Sequence, residues 1–501
     1  MNRRRMMKLA AAAATTAATA RGALARSQDS SLAVFDPRQF GAKGNGKALD
    51  SEAINAAIDA CSRGGGGAVH LRAGVYRSGT VVLRSNVTLY LEAGATLLGS
   101  TDLRDYGEIS GASKDGPNPR HLIFAMNAEH VTLAGPGLID GQGRHFWEPS
   151  GKEPLAPEDA WADVVARYWK PKEGGRPSPL LEFVNCRWLR IEDVRIENAP
   201  GWTMRPYNCD NVTISGIAIK NPVNGPNTDG MDITCCQNVT VSNCSVETGD
   251  DAICLKSETP YGGEPRLTKN VVVTNCRLTT CCNGFKLGTG SEGGFENITF
   301  SNSTIYNNDV EFKDRVISGV ALEVVDGGWI DGVQVSGIEM QRTRTPIFIR
   351  LENRKRVHNY AQHGLRNVNL ENIHATEGLL ASSITGIDGD EVRDVTLSKI
   401  RAENVLPCRP EWVGRTVPEK DNGYPEARMF GMLPASGLYV RHVRGLQIND
   451  AVFTATAGEA RPTVILDEVS GARITGLESS PISGGMPVVQ AIHSSDVQIS
   501  K

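Results

Sequence analysis

Three aspartates in one short segment have the residue type and spacing that acid–base chemistry requires. Asp229 lies in an Asn-Thr-Asp-Gly run, and Asp250 and Asp251 are adjacent in a Gly-Asp-Asp run, 22 residues further on. That separation is the length of one turn of a solenoid, so the two runs are expected to meet in space. Clustered carboxylates raise one another's pKa, so one is protonated while others are ionised. Hydrolysis of a glycosidic bond uses such an acid together with a base.

Three phrases around these residues align. The phrases that begin at Asp229, Asp251 and Asn283 place Gly, Ala and Gly second, Met, Ile and Phe third, and Ile, Leu and Leu fifth. Strands stacked in this register lie about 4.8 Å apart. Asp229, Asp251 and Asn283 are therefore predicted to form one column with Asp250 beside it. An offset along the coil would give the roughly 6.5–9.5 Å that an inverting glycosidase needs between acid and base.

The elements that must position these residues are short strands. Phrases of alternating apolar and small polar residues recur, mostly opened by Asn, with starting positions that are 27 to 35 residues apart between 211 and 394. Such alternation is typical of half-buried strands. Further strand signals between the phrases give about three strands per repeat, which predicts an all-β, right-handed parallel β-helix. The asparagines are expected in sharp turns, where Asn tolerates the left-handed conformation.

The sequence also predicts an N-terminal helix and two insertions in a single domain. Asp50 or Ser51 is expected to cap a short helix that covers the N-terminal end of the stack. We predict a single β-helix catalytic domain over residues 29–501, with insertions near 148–179 and 409–434 that either build binding walls or merely decorate the scaffold. The first insertion is expected to contain a short helix over 157–169.

The N-terminus has the pattern of an export signal. Three consecutive arginines, a mildly apolar Ala/Thr-rich run and an A-x-A site make up residues 1–25. This pattern predicts a twin-arginine-like signal peptide and a periplasmic or extracellular location. No later apolar run is long enough to span a bilayer, so no membrane association is predicted.

Composition excludes several classes of partner and cofactor. The net charge is −4 and aromatic residues make up 6% of the chain, which argues against nucleic-acid binding. The 11 cysteines show no zinc-site spacing and are expected to stack as small buried residues, although a disulfide remains possible after export. No metal or cofactor is predicted, and the sequence gives no oligomeric state.

The motifs resemble those of glycoside hydrolase family 28, the polygalacturonase-like pectin hydrolases. Asn227-Thr228-Asp229 and Gly249-Asp250-Asp251 carry the resemblance, which extends over most of the chain after the signal. It implies a right-handed β-helix, an inverting mechanism and a pectic substrate. It also implies that Asp250 is the general acid and that Asp229 and Asp251 activate water.

Two motifs of that family are missing. Cys282-Asn283-Gly284 stands where the family has Gly-His-Gly, and Ala321-Leu322-Glu323 replaces Arg-Ile-Lys, which grips the galacturonate carboxylate. Other residues are therefore candidates for substrate binding. These candidates are Asn227, Asn283, Lys256, Lys286, Arg205 and Trp202. For the basic residues and the tryptophan, surface ion pairing or core packing is the alternative.

The leading hypothesis is a secreted inverting glycosidase that cleaves pectic, galacturonate-containing poly- or oligosaccharides, with exo action favoured by the two insertions. A β-helix polysaccharide lyase is an alternative from another class, because lyases use bound Ca²⁺ and a Lys or Arg base. A non-catalytic carbohydrate-binding β-helix is the third.

Overall fold

A computed structural model describes most of the chain. The described residues are 33–107, 120–152, 168–259, 264–307, 316–354 and 362–500. The predicted signal peptide and nearly all of the predicted helix over 157–169 lie outside these ranges, so both stay predictions.

The chain winds as a right-handed parallel β-helix, as predicted. Its strands stack in three parallel ladders, each strand pairing with the strand one coil before it and one coil after it. The first ladder contains Val34–Phe35, Gly67–Leu71, Val87–Leu91, Glu129–Ala134, Arg187–Glu192, Asp210–Ser215, Gln237–Ser242, Thr268–Thr274, Gly294–Tyr306, Trp329–Gln341, Gly364–Gly378, Val392–Asn404, Leu438–Asn449, Arg473–Thr475 and Gln498–Ser500. The second contains Asn45–Leu49, Gly74–Ser78, Ala95–Gly99, Leu138–Asp140, Arg195–Glu197, Ala218–Lys220, Ser245–Thr248, Arg277–Thr280, Val452–Ala455 and Glu478–Ser479. The third contains Val81–Val82, Ile123–Met126, Leu181–Val184, Met204–Tyr207, Met231–Thr234, Ile253–Ser257, Asn283–Ser291, Val316–Val324, Thr343–Leu351, Ser382–Thr385, Val464–Ser470 and Val489–Ile492.

Several strands bridge two ladders. From Gly294 onward the first and second ladders merge into long strands such as Gly294–Tyr306. Leu438–Asn449 continues both the third ladder and the first. Along each strand the apolar residues alternate inward, and they form one continuous core down the axis of the solenoid. The core thus fixes the register of every coil.

Asparagines occupy sharp left-handed bends near the start of the first-ladder strands, where the sequence predicts turn asparagines. Asn211, Asn238, Asn270 and Asn297 all have a left-handed backbone with φ between 53° and 58°. Their amides form a ladder between coils, in which Asn270 Nδ2 donates to Asn238 Oδ1 at 2.9 Å and Asn297 Nδ2 donates to Asn270 Oδ1 at 3.1 Å. The turns are therefore held both by backbone preference and by side-chain hydrogen bonds.

The predicted N-terminal helix is Ser51–Arg63. Its apolar side packs on the first coils through Ile54 and Ile58, which are fully buried. Asp50 occupies the N-cap position, but its side chain makes no capping hydrogen bond. It instead accepts the backbone N–H groups of Lys43 and Gly44. Of the two residues that the sequence offers as a cap, Asp50 takes the N-cap position, but its carboxylate binds the preceding loop instead of a helix N–H group.

The other described elements are short. One antiparallel pair, Trp147–Pro149 with Trp169–Pro171, forms the base of the first insertion. The second insertion contains a 3₁₀ turn, Pro410–Trp412. Further 3₁₀ turns are Pro37–Phe40, Leu103–Asp105, Gly143–Phe146 and Ser483–Gly485. Within the described residues no helix is long and apolar enough to cross a membrane.

The cysteines are all free thiols, and ten of the 11 are buried. Cys186, Cys209 and Cys236 stack from coil to coil: Cys186 N donates to Cys209 Sγ, and Cys209 N donates to Cys236 Sγ. They act as small apolar residues of the ladder, as predicted, and no disulfide joins them.

Candidate active site

The three aspartates lie in turns that lead from the second ladder into the third, on two neighbouring coils. Gly230 N donates to Asp251 O at 2.9 Å, and Ala252 N donates to Asn283 O at 2.9 Å. Downstream, Met231 pairs with Ile253, which pairs with Phe285. The structure thus brings Asp229, Asp251 and Asn283 into one column, in the predicted register, with Asp250 beside it.

A glycine makes the turn before Asp250 possible. Gly249 N donates to Thr228 Oγ1 at 3.1 Å, and that hydroxyl donates to Gly225 O at 2.9 Å. A Cβ at Gly249 would lie 2.6 Å from Gly225 O, closer than a side chain tolerates. The backbone of one motif is thus hydrogen-bonded to the Thr228 side chain of the other and packs closely on Gly225, and these contacts position the aspartates.

Asp251 is held in its ionised form. Its Oδ1 accepts a hydrogen bond from Asn283 Nδ2 at 2.6 Å, and its Oδ2 lies 3.2 Å from Lys286 Nζ. Burial opposes ionisation, but the charges of Lys286 and Lys256 and the Asn283 hydrogen bond outweigh it, and the pKa of Asp251 is lowered. This carboxylate is accordingly a negative charge at neutral pH.

The pKa values of Asp229 and Asp250 are raised, in contrast to that of Asp251. Burial, followed by the charge of Asp250, raises the pKa of Asp229 well above its ordinary value. Burial and the adjacent Asp251 charge also raise the pKa of Asp250. Asp229 is buried, and its Oδ1 has no hydrogen-bond partner among the described residues, whereas Asp250 is partly exposed. The cluster therefore combines an ionised carboxylate with two that hold protons more tightly.

The family model for glycosyl hydrolases family 28 matches residues 68–407. The chain belongs to glycoside hydrolase family 28. Among its relatives, a probable polygalacturonase of Vitis vinifera is 26% identical over 72% of this chain and 72% of its own length. An exo-poly-alpha-D-galacturonosidase of Dickeya chrysanthemi is 27% identical over 56% of this chain and 52% of its own length.

The fold has solved relatives as well. An exopolygalacturonase of Thermotoga maritima superposes with a TM-score of 0.57 at 24% identity and covers 74% of this chain and 87% of its own. At that identity the likeness shows the shared right-handed β-helix. Together, the family match and the fold make this chain a glycoside hydrolase.

This glycoside hydrolase keeps its predicted basic residues in buried ion pairs. Lys286 is 3% exposed and contacts Glu323 at 3.7 Å in addition to Asp251. Lys256 is 7% exposed and lies 3.4 Å from Asp232 Oδ1. Neither ammonium faces open solvent, so each neutralises neighbouring carboxylates in this structure.

Arg205 and Trp202 form a stacked group one coil earlier. The Arg205 guanidinium pairs with Glu182 at 3.0 Å and is buried. It lies 5.3 Å from the Trp202 ring, and Lys256 Nζ lies 5.1 Å from the same ring, distances at which a cation is attracted to an aromatic face. Trp202 is half-buried and therefore retains an accessible part beside the aspartates' coil.

Sequence reasoning missed Arg176, which the first insertion brings to the site. Arg176 donates to Pro200 O at 2.9 Å and to Pro226 O at 2.6 Å, and its other nitrogen reaches Asn227 Oδ1 at 3.3 Å. Asn227 is exposed, and its Nδ2 donates to Asp250 Oδ2 at 3.4 Å. Burial lowers the pKa of Arg176 to about 10, against the charges of Asp229 and Asp250. No local pattern in the sequence distinguishes Arg176 from Arg167, the other arginine of the insertion.

Sequence reasoning also missed that Asp232 and Glu323 are buried carboxyl groups beside Lys256 and Lys286. Burial raises the pKa of Asp232 to about 7, although Lys256 pulls it down. Burial likewise raises the pKa of Glu323 to about 8, against the charge of Lys286. Period-two alternation places Asp232, Cys254 and Lys286 in one outward column of the third ladder. The same alternation in the sequence could therefore have indicated that the Asp232 side chain lies on the outer face, in line with Lys286.

The second insertion covers the outer face of the third ladder next to the site. Val417, Ala427, Phe430 and Leu433 of this insertion belong to one buried apolar cluster with Ala321. Ala321 is the residue that stands at the missing arginine position. At the rim of the insertion the Tyr424 ring lies 5.9 Å from Lys286 Nζ. The insertion is thus packed against the scaffold and forms one wall of the site.

One cluster at the site has the residue types of a metal centre, but its cysteine holds its proton and one of its carboxylates is already paired with a lysine. Asp250, Asp251 and Cys282 offer ligand atoms within 4.8 Å of one another. However, Lys286 already neutralises Asp251, and burial keeps the pKa of the Cys282 thiol well above its ordinary value. A thiol binds metal as a thiolate, so this set fits a cation poorly.

Proposed function

We propose that this family 28 enzyme is an exported, inverting hydrolase of galacturonate-containing pectic chains. The observation that carries the proposal is the pairing of a partly exposed acid of raised pKa, Asp250, with a buried, ionised neighbour, Asp251. A general acid needs access to the leaving oxygen and a proton at working pH. Asp250 is accessible, and its raised pKa favours the protonated form that a general acid requires.

In the proposed reaction Asp250 donates its proton to the glycosidic oxygen while the bond from that oxygen to the anomeric carbon breaks. A water molecule attacks the anomeric carbon from the opposite face, and its proton passes to the Asp229–Asp251 pair. Asp251 is the ionised member, since Lys286 and Asn283 stabilise its charge. A single displacement of this kind inverts the anomeric configuration.

The substrate class follows from the relatives. Both relatives described above are named for action on polygalacturonate. We propose that Asn227 and Trp202, which are accessible, contact the sugars. The buried residues Asn283, Arg205, Lys256 and Lys286 act on the substrate through Asp251 and through the local electric field. The wall built by the second insertion favours attack near a chain end.

Product analysis tests this function directly. The protein is incubated with homogalacturonan and rhamnogalacturonan fragments, with and without chelator, and reducing ends and unsaturated products are followed. We expect reducing ends without unsaturation, NMR spectra that show the inverted anomer first, and short products from the earliest time points. Unsaturated products that disappear with chelator would establish the lyase alternative, and binding without turnover would establish the carbohydrate-binding one. A retained anomer would overturn the proposed mechanism.

A further inference from the structure

Two aromatic residues interrupt the asparagine ladder on the first ladder's turns. In register, the turn position runs from His130 through Trp188 to Asn211 and Asn238. Further along it is occupied by Asn270, Asn297, Gly332, Asn367, Asp394 and Gly445. Trp188 and His130 adopt the same left-handed backbone, with φ of 57° and 54°. A bulky side chain is disfavoured there, so the turn itself does not account for either ring.

Both rings face solvent. Trp188 is 53% exposed, and its ring is parallel to that of His130 within 2°, with centroids 6.1 Å apart. An exposed tryptophan costs solvation free energy, and here it also displaces the amide that hydrogen-bonds neighbouring coils elsewhere. Nothing in the fold requires a ring at this turn, which points to a ligand.

The rings border a shallow depression of about 380 Å³. Its floor is a second column of outward side chains, Thr132, Arg190, Thr213 and Thr240, which pair in register from coil to coil. The hydroxyl groups and the Arg190 guanidinium, which pairs with Glu192 in this structure, lie beside an aromatic face. This set matches the chemistry of a sugar acid. A pyranose ring packs its apolar C–H face on an aromatic ring, and its hydroxyls and carboxylate bind polar groups.

We propose that His130 and Trp188, with Arg190 and the threonine column, form a second binding site for a galacturonate-containing chain. The site lies on the first ladder, whereas the aspartates lie in turns that enter the third. It would hold the polymer while the aspartates cut it, an inference that rests on the proposed function. A site of this kind affects long chains and leaves short fragments unaffected, because a fragment bound at the aspartates does not reach it.

The test compares retention on immobilised homogalacturonan with hydrolysis of galacturonate oligomers. Trp188→Asn and His130→Asn restore the residue that the turn prefers, so both variants are expected to unfold at a temperature no lower than that of the parent. Retention is measured in the Asp250→Asn background so that the polymer is not degraded. We expect at least fivefold weaker retention for Trp188→Asn, unchanged retention for Trp188→Tyr, and unchanged hydrolysis of oligomers by the single variant Trp188→Asn.

Val75→Thr is the matched control, because Val75 is also an exposed apolar strand residue, 36% exposed, but lies on the second ladder, away from the proposed site. It should leave retention unchanged. Equal retention of Trp188→Asn and its parent would overturn the proposal, and so would a Trp188→Asn variant of clearly lower stability. Failure of the wild type to hydrolyse any oligomer would instead overturn the proposed function, since retention is read independently of turnover.

Discussion

Lys286 Nζ lies 3.2 Å from Asp251 Oδ2 across two neighbouring coils, and both side chains are buried. The same ammonium lies 3.7 Å from Glu323 on the following coil. One lysine therefore serves two carboxylates, of which Asp251 is ionised and Glu323 has a raised pKa. The charge state of the proposed base depends on this lysine rather than on the aspartates alone.

Replacement of Asp250 by asparagine tests the general acid. The Asp250→Asn side chain keeps its shape and its contact with Asn227 but has no proton to donate. We expect turnover of galacturonate oligomers to fall by about 10²–10⁴-fold, the usual contribution of general acid catalysis. The thermal unfolding temperature should change little, because Asp250 is partly exposed. Asp59→Asn, on the capping helix, is the matched control and should retain full activity. A folded, fully active Asp250→Asn enzyme would remove the assignment.

Removal of the Lys286 charge should affect both stability and pH dependence. Lys286→Met leaves Asp251 and Glu323 buried without their cation, which costs about 3–5 kcal/mol in other buried pairs. The pKa of Asp251 should rise, because its charge has lost the neighbouring cation. The base is then protonated up to a higher pH, so the acidic limb of the plot of kcat/KM against pH shifts to higher pH. Denaturant unfolding and a pH–rate profile measure the two effects.

Lys269→Met is the control for that change. Lys269 pairs with Glu296 at 2.9 Å, but both side chains are about one-third exposed. Such a pair is worth at most about 1 kcal/mol. If Lys286→Met behaved like this control and left the pH profile unmoved, Lys286 would have no role in setting the charge of Asp251.

Much of this arrangement follows from sequence periodicity. Alternating residues in the phrases at Asp229, Asp251 and Asn283 set the register, because a slip of one residue would turn the apolar set outward. The column of these three residues was therefore predictable. The pairing of Lys286 with Glu323 was not, since it depends on which outward side chains the insertions cover.

Long-range packing explains the other residues that sequence reasoning missed. Arg176 reaches Pro226 and Asn227 from an insertion whose path has no periodic signal. Trp188 and His130 lie at a turn position that the repeat assigns to asparagine. The repeat in the sequence already aligns His130-Val131-Thr132-Leu133 with the phrases that begin with asparagine. Trp188 is recognised at the same position only after the structure has aligned the coils.

Glu323 should make the folded protein less stable as pH rises, which is the opposite of the effect of a carboxyl group whose pKa is lowered by folding. Its pKa is about 8 in the folded protein, against an ordinary value of 4.5. Between these values the folded state binds a proton that the unfolded chain has lost, so the contribution of Glu323 to stability falls as pH rises. Glu323→Gln cannot titrate and should therefore lose less stability than the wild type between pH 5 and pH 8, as measured by denaturant unfolding at several pH values.

A matched substitution at an exposed glutamate distinguishes this effect from a general change in charge. Glu411 is exposed in the second insertion, and Glu411→Gln should reproduce the pH dependence of the wild type. The same dependence in Glu323→Gln as in the wild type would show that Glu323 does not carry a raised pKa.

Substitutions at Asn270 can separate the two ways in which an asparagine stabilises these bends: its tolerance of the left-handed backbone and its amide hydrogen bonds between coils. This residue has φ of 55°, donates to Asn238 and accepts from Asn297. Asn270→Gly loses the amide but keeps easy access to the left-handed backbone, whereas Asn270→Ala loses both. We expect Ala to lower the free energy of unfolding by about 1–3 kcal/mol and Gly to lower it by less, as measured by denaturant unfolding. If Gly destabilised the protein as much as Ala, the amide hydrogen bonds rather than the backbone preference would explain why asparagine recurs at these turns.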